Sequence, residues 1–195
     1  MKRQVFVIHG GDSFETYEAY LDFLKNWKIN FEDYLIDKND WKRTLREKLG
    51  PDFQVIRPEM PSKRNAKYLE WKMWFEKFIP YFEPGVILVG HSLGALFLAK
   101  YLSENRLPQK TGAIFLIATP WGEGDFSLSD DLGLLNFQGP IYLYHSEDDR
   151  VVSASNLNEY KSRLNNIIVR VFKDRGHFNQ EELPELVEDI KSVAL

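Results

Sequence analysis

No cysteine occurs among the 195 residues. That excludes a disulfide framework, a thiolate nucleophile and cysteine metal sites, and it fits a reducing compartment, so a cytoplasmic location is expected. Histidines are few, four in all. None stands in a His-Glu-x-x-His pattern or at other ligand spacing, so no metal and no cofactor are expected. Charge of one sign is lacking too: 25 Lys and Arg against 29 Asp and Glu leave a formal net charge of −4. That balance gives no footing for nucleic acid. No apolar run approaches the ~18 residues of a membrane span. The opening Met1-Lys2-Arg3-Gln4 leads into only a short apolar stretch, without the features of a signal peptide. Repeats, low-complexity tracts and linkers are lacking as well. The chain is therefore expected to form one domain over residues 1–195, large enough to bury a real core.

What is there is alternation. Short apolar runs at Val5–Ile8, Phe53–Ile56, Val86–Val89, Ala113–Ala118, Ile141–Tyr144 and Ile167–Phe172 read as strands of a parallel sheet covered on both faces. Between them lie stripes at helical spacing. Tyr17, Tyr20, Leu21, Leu24 and Trp27 form one. Trp71, Trp74, Phe75, Phe78 and Phe82 form another, with Pro80 kinking or ending the helix. Leu183, Leu186, Val187, Ile190 and Val193 form a third. All three are expected to face the core. The fold class that follows is α/β, a three-layer α/β/α sandwich on a mostly parallel sheet of about six strands.

The most informative stretch is Gly90-His91-Ser92-Leu93-Gly94, which fits Gly-x-Ser-x-Gly. Val86–Val89 stands directly before it, and Ala95–Leu102 after it favours a helix. A serine on a tight strand-to-helix turn is thrust out at the top of a sheet, and the crowded backbone needs small flanking residues. A serine hydroxyl becomes a good nucleophile only when a base takes its proton. In this architecture an acid and then a histidine follow the serine in the chain. His177, in Arg175-Gly176-His177-Phe178, is the histidine that lies after a good acid candidate. The acid belongs to the turn after Pro140–Tyr144, where Glu147, Asp148 and Asp149 stand together. An oxyanion hole is also needed. One donor would be the backbone N–H of Leu93, and the other would come from the loop after the first strand, at Gly11 or its neighbour Asp12. A phosphate-binding loop is the rival reading of His9-Gly10-Gly11, but the Gly-Lys-Ser/Thr ending is missing. His9 itself is expected to be structural.

Together these residues resemble the α/β-hydrolases. More narrowly, the chain resembles the small serine hydrolases related to retinoblastoma-binding protein 9 and bacterial YdeN. The likeness covers nearly the whole chain. It rests on the His9-Gly10 loop, the elbow at Ser92, the acidic turn, Gly176-His177-Phe178, and Met60-Pro61-Ser62-Lys63-Arg64-Asn65-Ala66 leading to Trp71, Trp74 and Phe75. Hydrolases of this kind place the acid three residues before the last apolar residue of its loop, which favours Asp149, with Asp148 as the alternative. One departure is Ser153, where such loops often carry proline. The resemblance implies a minimal α/β-hydrolase fold without two extra N-terminal strands, and carboxylesterase-like activity.

The segment from Pro120 to Gly139 is long for a loop and short for a lid domain. It is expected to form a small cap carrying Trp121, Phe126, Leu128, Leu132, Leu134, Leu135 and Phe137, with Trp121 near the acyl or leaving-group site and Asp12 also edging the pocket. The expected partner is a small acyl ester cleaved through Ser92, His177 and Asp149, by a monomer or weak homodimer. The alternative is a binding or regulatory protein that keeps the fold with little catalysis, since fold alone does not establish function.

Overall fold

The computed structural model describes residues 2–35, 39–129, 137, 139–165 and 167–194. Six strands and six α-helices occur in these residues. In chain order they are β1 (Arg3–Ile8), α1 (Tyr17–Asn26), α2 (Trp41–Leu49), β2 (Phe53–Ile56), α3 (Tyr68–Glu76), β3 (Val86–His91), α4 (Leu93–Glu104), β4 (Thr111–Ile117), β5 (Ile141–Ser146), α5 (Ala154–Arg163), β6 (Ile167–Phe172) and α6 (Pro184–Ser192). The strands form one sheet in the order β2-β1-β3-β4-β5-β6, with every pair parallel. Among the described residues no helix is long and apolar enough to cross a membrane.

Alternation along the strands sends side chains to two cores. Phe6, Ile8, Leu88, Ile114, Leu116 and Leu143 pack on one face with Trp71 and Phe75 of α3, Leu96 and Phe97 of α4 and Tyr160 of α5. Val5, Val7, Ile87, Val89, Phe115 and Tyr144 pack on the other with Trp41 and Leu45 of α2 and Leu186 and Ile190 of α6. The expected three-layer sandwich is the one observed. The last strand departs from a fully covered run: β6 is an edge, and its side chains are only partly buried.

The helical stripes meet different fates. That of α6 is core. In the second stripe Trp71, Phe75 and Phe82 are buried, whereas Trp74 is partly exposed. That helix stops at Glu76, and Pro80 sits in a separate 3₁₀ turn over Ile79–Tyr81. The first stripe is a correction. None of the residues of α1 is buried, and Tyr17, Leu21, Leu24 and Trp27 lie on the surface. Both faces of the sheet are already covered by α2 to α6, so no uncovered core remains for α1 to fill.

In the expected cap, Gly124–Phe126 form a 3₁₀ turn, and Phe126 is fully buried against Trp71 and Tyr68. Leu128 and Phe137 pack partly buried on the same core. Leu132, Leu134 and Leu135 lie outside the described residues.

Trp71 joins these parts. Its ring is fully buried against His9, Phe97 and Phe126, and its Nε1–H donates to the Pro61 carbonyl at 2.7 Å. Trp71→Ala is expected to lower the unfolding free energy by about 3–5 kcal/mol in urea titration. Met73→Ala, on the exposed side of the same helix, is expected to stay within about 0.5 kcal/mol of the parent.

Candidate active site

In an open parallel sheet, ligands bind beyond the carboxyl ends of the strands where the strand order reverses. Here the reversal falls between β1 and β3. β1 ends into His9-Gly10-Gly11, and β3 runs straight into Ser92.

Ser92 takes φ 54° and ψ −124° between β3 and α4. That left-handed backbone stores roughly 1–3 kcal/mol in a residue other than glycine. The flanking glycines allow it by contact. A Cβ at Gly90 would lie 2.5 Å from the Cα of Ala95, and one at Gly94 would lie 2.5 Å from the carbonyl oxygens of Ile8 and His9. The end of β1 is therefore pressed against the elbow, and a Cβ at Gly10 would lie 3.0 Å from that of Ser92.

His177 Nδ1 and Asp149 Oδ2 are 2.9 Å apart. The other carboxylate oxygen of Asp149 accepts the N–H groups of Val151 and Val152 at 2.8 and 3.0 Å. The Asp149 side chain is fully buried, and that of His177 is 15 % exposed. With Nδ1–H donating to the carboxylate, Nε2 is the nitrogen left to take a proton. Asp148 does something else: its Oδ1 accepts the Ser146 hydroxyl at 2.5 Å and the Gly176 N–H at 2.8 Å. Those two bonds hold its carboxyl below the usual carboxylate range. Of the two neighbouring acids, Asp149 contacts the histidine ring and Asp148 fastens the histidine's loop.

His91 also acts on that loop, a role the sequence reading did not assign. Its Nε2–H donates to the His177 carbonyl at 2.8 Å, and the two rings are 5.0 Å apart. Trp41 stands edge-on to His91 and donates its Nε1–H to the Phe178 carbonyl at 2.8 Å. The signal for His91 was its place in the motif beside Ser92. Trp41 carried no such signal, because nothing local ties it to a loop 137 positions away. Thr119, just past β4, is buried with a hydroxyl that has no partner among the described residues.

The loop after β1 separates its two oxyanion candidates. The Asp12 N–H donates to the Lys63 carbonyl at 2.8 Å, which removes it as a donor. The Asp12 carboxylate instead pairs with Arg64 at 3.2 Å. No partner for the Gly11 or Leu93 N–H occurs among the described residues. His9 is structural: its Nδ1–H donates to the Gly10 carbonyl at 2.6 Å, and its Nε2 accepts the Met60 N–H at 2.8 Å. Trp121 packs on α5, edge-on to Tyr160 and beneath the Arg163 guanidinium, with its N–H donated to Asn156. The cap is tied to the β1 loop through Ser13, whose N–H donates to Glu123 at 2.9 Å; its hydroxyl donates to the Ala66 carbonyl at 2.9 Å, with Asp125 Oδ1 a longer 3.3 Å away. Burial pushes the Glu123 carboxyl up, against the lowering effect of the Ser13 N–H. Among the described residues no group of three histidines or carboxylates is placed to hold a metal ion.

This sheet order, with a strained serine after the third strand, defines an α/β-hydrolase fold. A family profile described as Serine hydrolase matches residues 36–186, and the chain belongs to that family. It is 26% identical over 163 residues to Serine hydrolase RBBP9 of Rattus norvegicus, covering 78% of this chain and 84% of that protein. Among solved structures, the ydeN gene product of B. subtilis superposes with a TM-score of 0.72 at 18% identity, covering 98% of both chains. Est1E of Butyrivibrio proteoclasticus gives 0.63 at 14% identity, covering 97% of this chain and 86% of the other.

Burial holds His91 well below the usual imidazole value of 6.5, helped by the nearby Lys42 charge. Burial also lowers His9 and His145. The unfolded chain takes up these protons near pH 6.5 while the folded chain resists them. Their contribution to stability is therefore full above about pH 6.5 and is lost as pH falls below it. Urea unfolding at pH 8 and pH 5 should show that loss, and His91→Gln should shrink it. An equal loss in parent and variant would remove His91 as a source.

Proposed function

We propose that this serine hydrolase is a carboxylesterase-like enzyme cleaving small acyl esters through Ser92, His177 and Asp149. The 2.9 Å contact of His177 with Asp149, together with the left-handed backbone of Ser92, supports the reading. The Ser92 hydroxyl attacks the acyl carbon while His177 Nε2 takes its proton. The N–H groups of Leu93 and Gly11 hold the developing oxyanion. The C–O bond to the alcohol breaks, and His177 returns the proton to the leaving oxygen. Water, deprotonated by the same nitrogen, then attacks the acyl-enzyme and releases the carboxylic acid and the free serine. Asp149 keeps the imidazole in the right tautomer and stabilises the imidazolium formed on the way. Trp121 and the Asp12 side chain edge the pocket, and the short cap favours a small acyl group.

A fluorophosphonate probe followed by peptide mapping tests the nucleophile. The adduct is expected on Ser92 and is expected to vanish in Ser92→Ala. Absence of labelling in a well-folded sample, or full ester turnover by Ser92→Ala, overturns the proposal and favours a binding protein on this fold. The two acids are distinguished kinetically. Asp149→Asn is expected to lower kcat on an activated short-chain ester by about 10⁴. Asp148→Asn should have a far smaller effect, because the carboxamide oxygen can still accept the Gly176 N–H.

A further inference from the structure

Of the six α-helices described, α1 alone has no buried residue, yet one side of it is apolar. Phe23 and Tyr20 lean on Phe14, with ring centroids 4.9 and 5.6 Å apart, and Phe23 leans on Trp27 at 4.9 Å. Tyr17, Leu21 and Leu24, at helical spacing, form a separate stripe that is 61, 45 and 47 % exposed. Further apolar side chains stand exposed in the chain that follows: Trp27, Ile29, Phe31, Tyr34 and Leu35 are 48 to 70 % exposed.

Size and charge point to an occupant. At about 200 Å² for each large side chain, these eight residues offer on the order of 900 Å² of apolar surface. A stable interface takes about 800 Å² from each partner. Along α1, Glu18 lies in the first turn and Lys25 in the last. Seven positions apart, they flank the same edge of the exposed stripe. A two-fold axis at the middle of the helix would bring each Glu18 opposite Lys25 of the partner subunit, with the helix dipoles opposed. An anionic lipid surface suits the segment poorly, because Glu15, Glu18, Asp22 and Glu32 outnumber Lys25 and Lys28.

We propose that α1 and the segment running to Leu35 form the interface of a two-fold homodimer, with the two α1 helices packed antiparallel through Tyr17, Leu21 and Leu24. The assembly is isologous, so each charge pair occurs twice.

Sedimentation of the full chain, from low to high micromolar concentration, tests this. A reversible dimer is expected. Leu21→Glu should leave a monomer with an unchanged far-ultraviolet circular dichroism spectrum. Glu18→Lys and Lys25→Glu each place like charges opposite one another in both pairs, and each should weaken dimerisation by about tenfold. Combined, the two changes restore opposite pairs, so the double variant should regain most of the lost affinity. A monomer at every concentration overturns the proposal. So does a double variant no better than the single ones, which would place the helices in another register. Binding of a monomeric parent to phosphatidylcholine vesicles, lost in Leu21→Glu, would also overturn it and assign the patch to a neutral lipid surface.

Discussion

The turn at Ser92 is the constraint on which the site depends. A strand and a helix meet with a single left-handed residue between them, and that conformation persists only because its surroundings hold it. Nine of the twelve residues of α4 are buried. Each fully buried large apolar side chain contributes roughly 1.5–3 kcal/mol, so the packing of the helix outweighs the strain at its start many times over. The same closeness decides what stands next to the serine. Gly94 lets α4 approach the end of β1, and that contact brings the Gly10-Gly11 loop to the hydroxyl. The elbow and the β1 loop are thus one packing arrangement, built from two strands that are far apart in the chain but neighbours in the sheet, where Ile8 pairs with Gly90.

The histidine loop is held more by its backbone than by its ring. Asp148 takes the Gly176 N–H, His91 donates to the His177 carbonyl, and Trp41 donates to the Phe178 carbonyl. The Phe178 side chain is buried against Tyr144 and Phe172. Among the described residues the ring of His177 then has one hydrogen-bond partner, Asp149. Adjacent carboxylates divide the work because one points to the imidazole and the other to the peptide that precedes it. The neutral, desolvated state of His91 suits its task, since a buried imidazole with one N–H donates to a carbonyl without bringing a charge into the core.

Much of the sheet was legible because its strands are continuous apolar runs between turn residues, a pattern that survives any tertiary detail. The stripe of α1 shows where periodicity stops being informative. An apolar face demands cover, but the pattern does not say whether the cover is the sheet of the same chain or something else. Here α2 and α6 occupy one face of the sheet and α3, α4 and α5 the other. The Asp12 N–H was equally undecided from sequence, because the carbonyl that takes it belongs to Lys63, beyond α1, α2 and β2.

By itself the sequence determined the six strands, the parallel sheet, the glycine-flanked serine and the family resemblance, but not the helices α2 and α5. These follow from local spacing and residue size. Only the tertiary structure decided which of two neighbouring acids meets His177, that the Asp12 amide is taken by Lys63, that His91 and Trp41 anchor a loop far along the chain, and that one amphipathic helix lies outside the core. Each of these depends on the direction of a single side chain or peptide across a long chain separation. Packing and hydrogen-bond geometry set such directions once the strands have assembled, and residue spacing does not encode them.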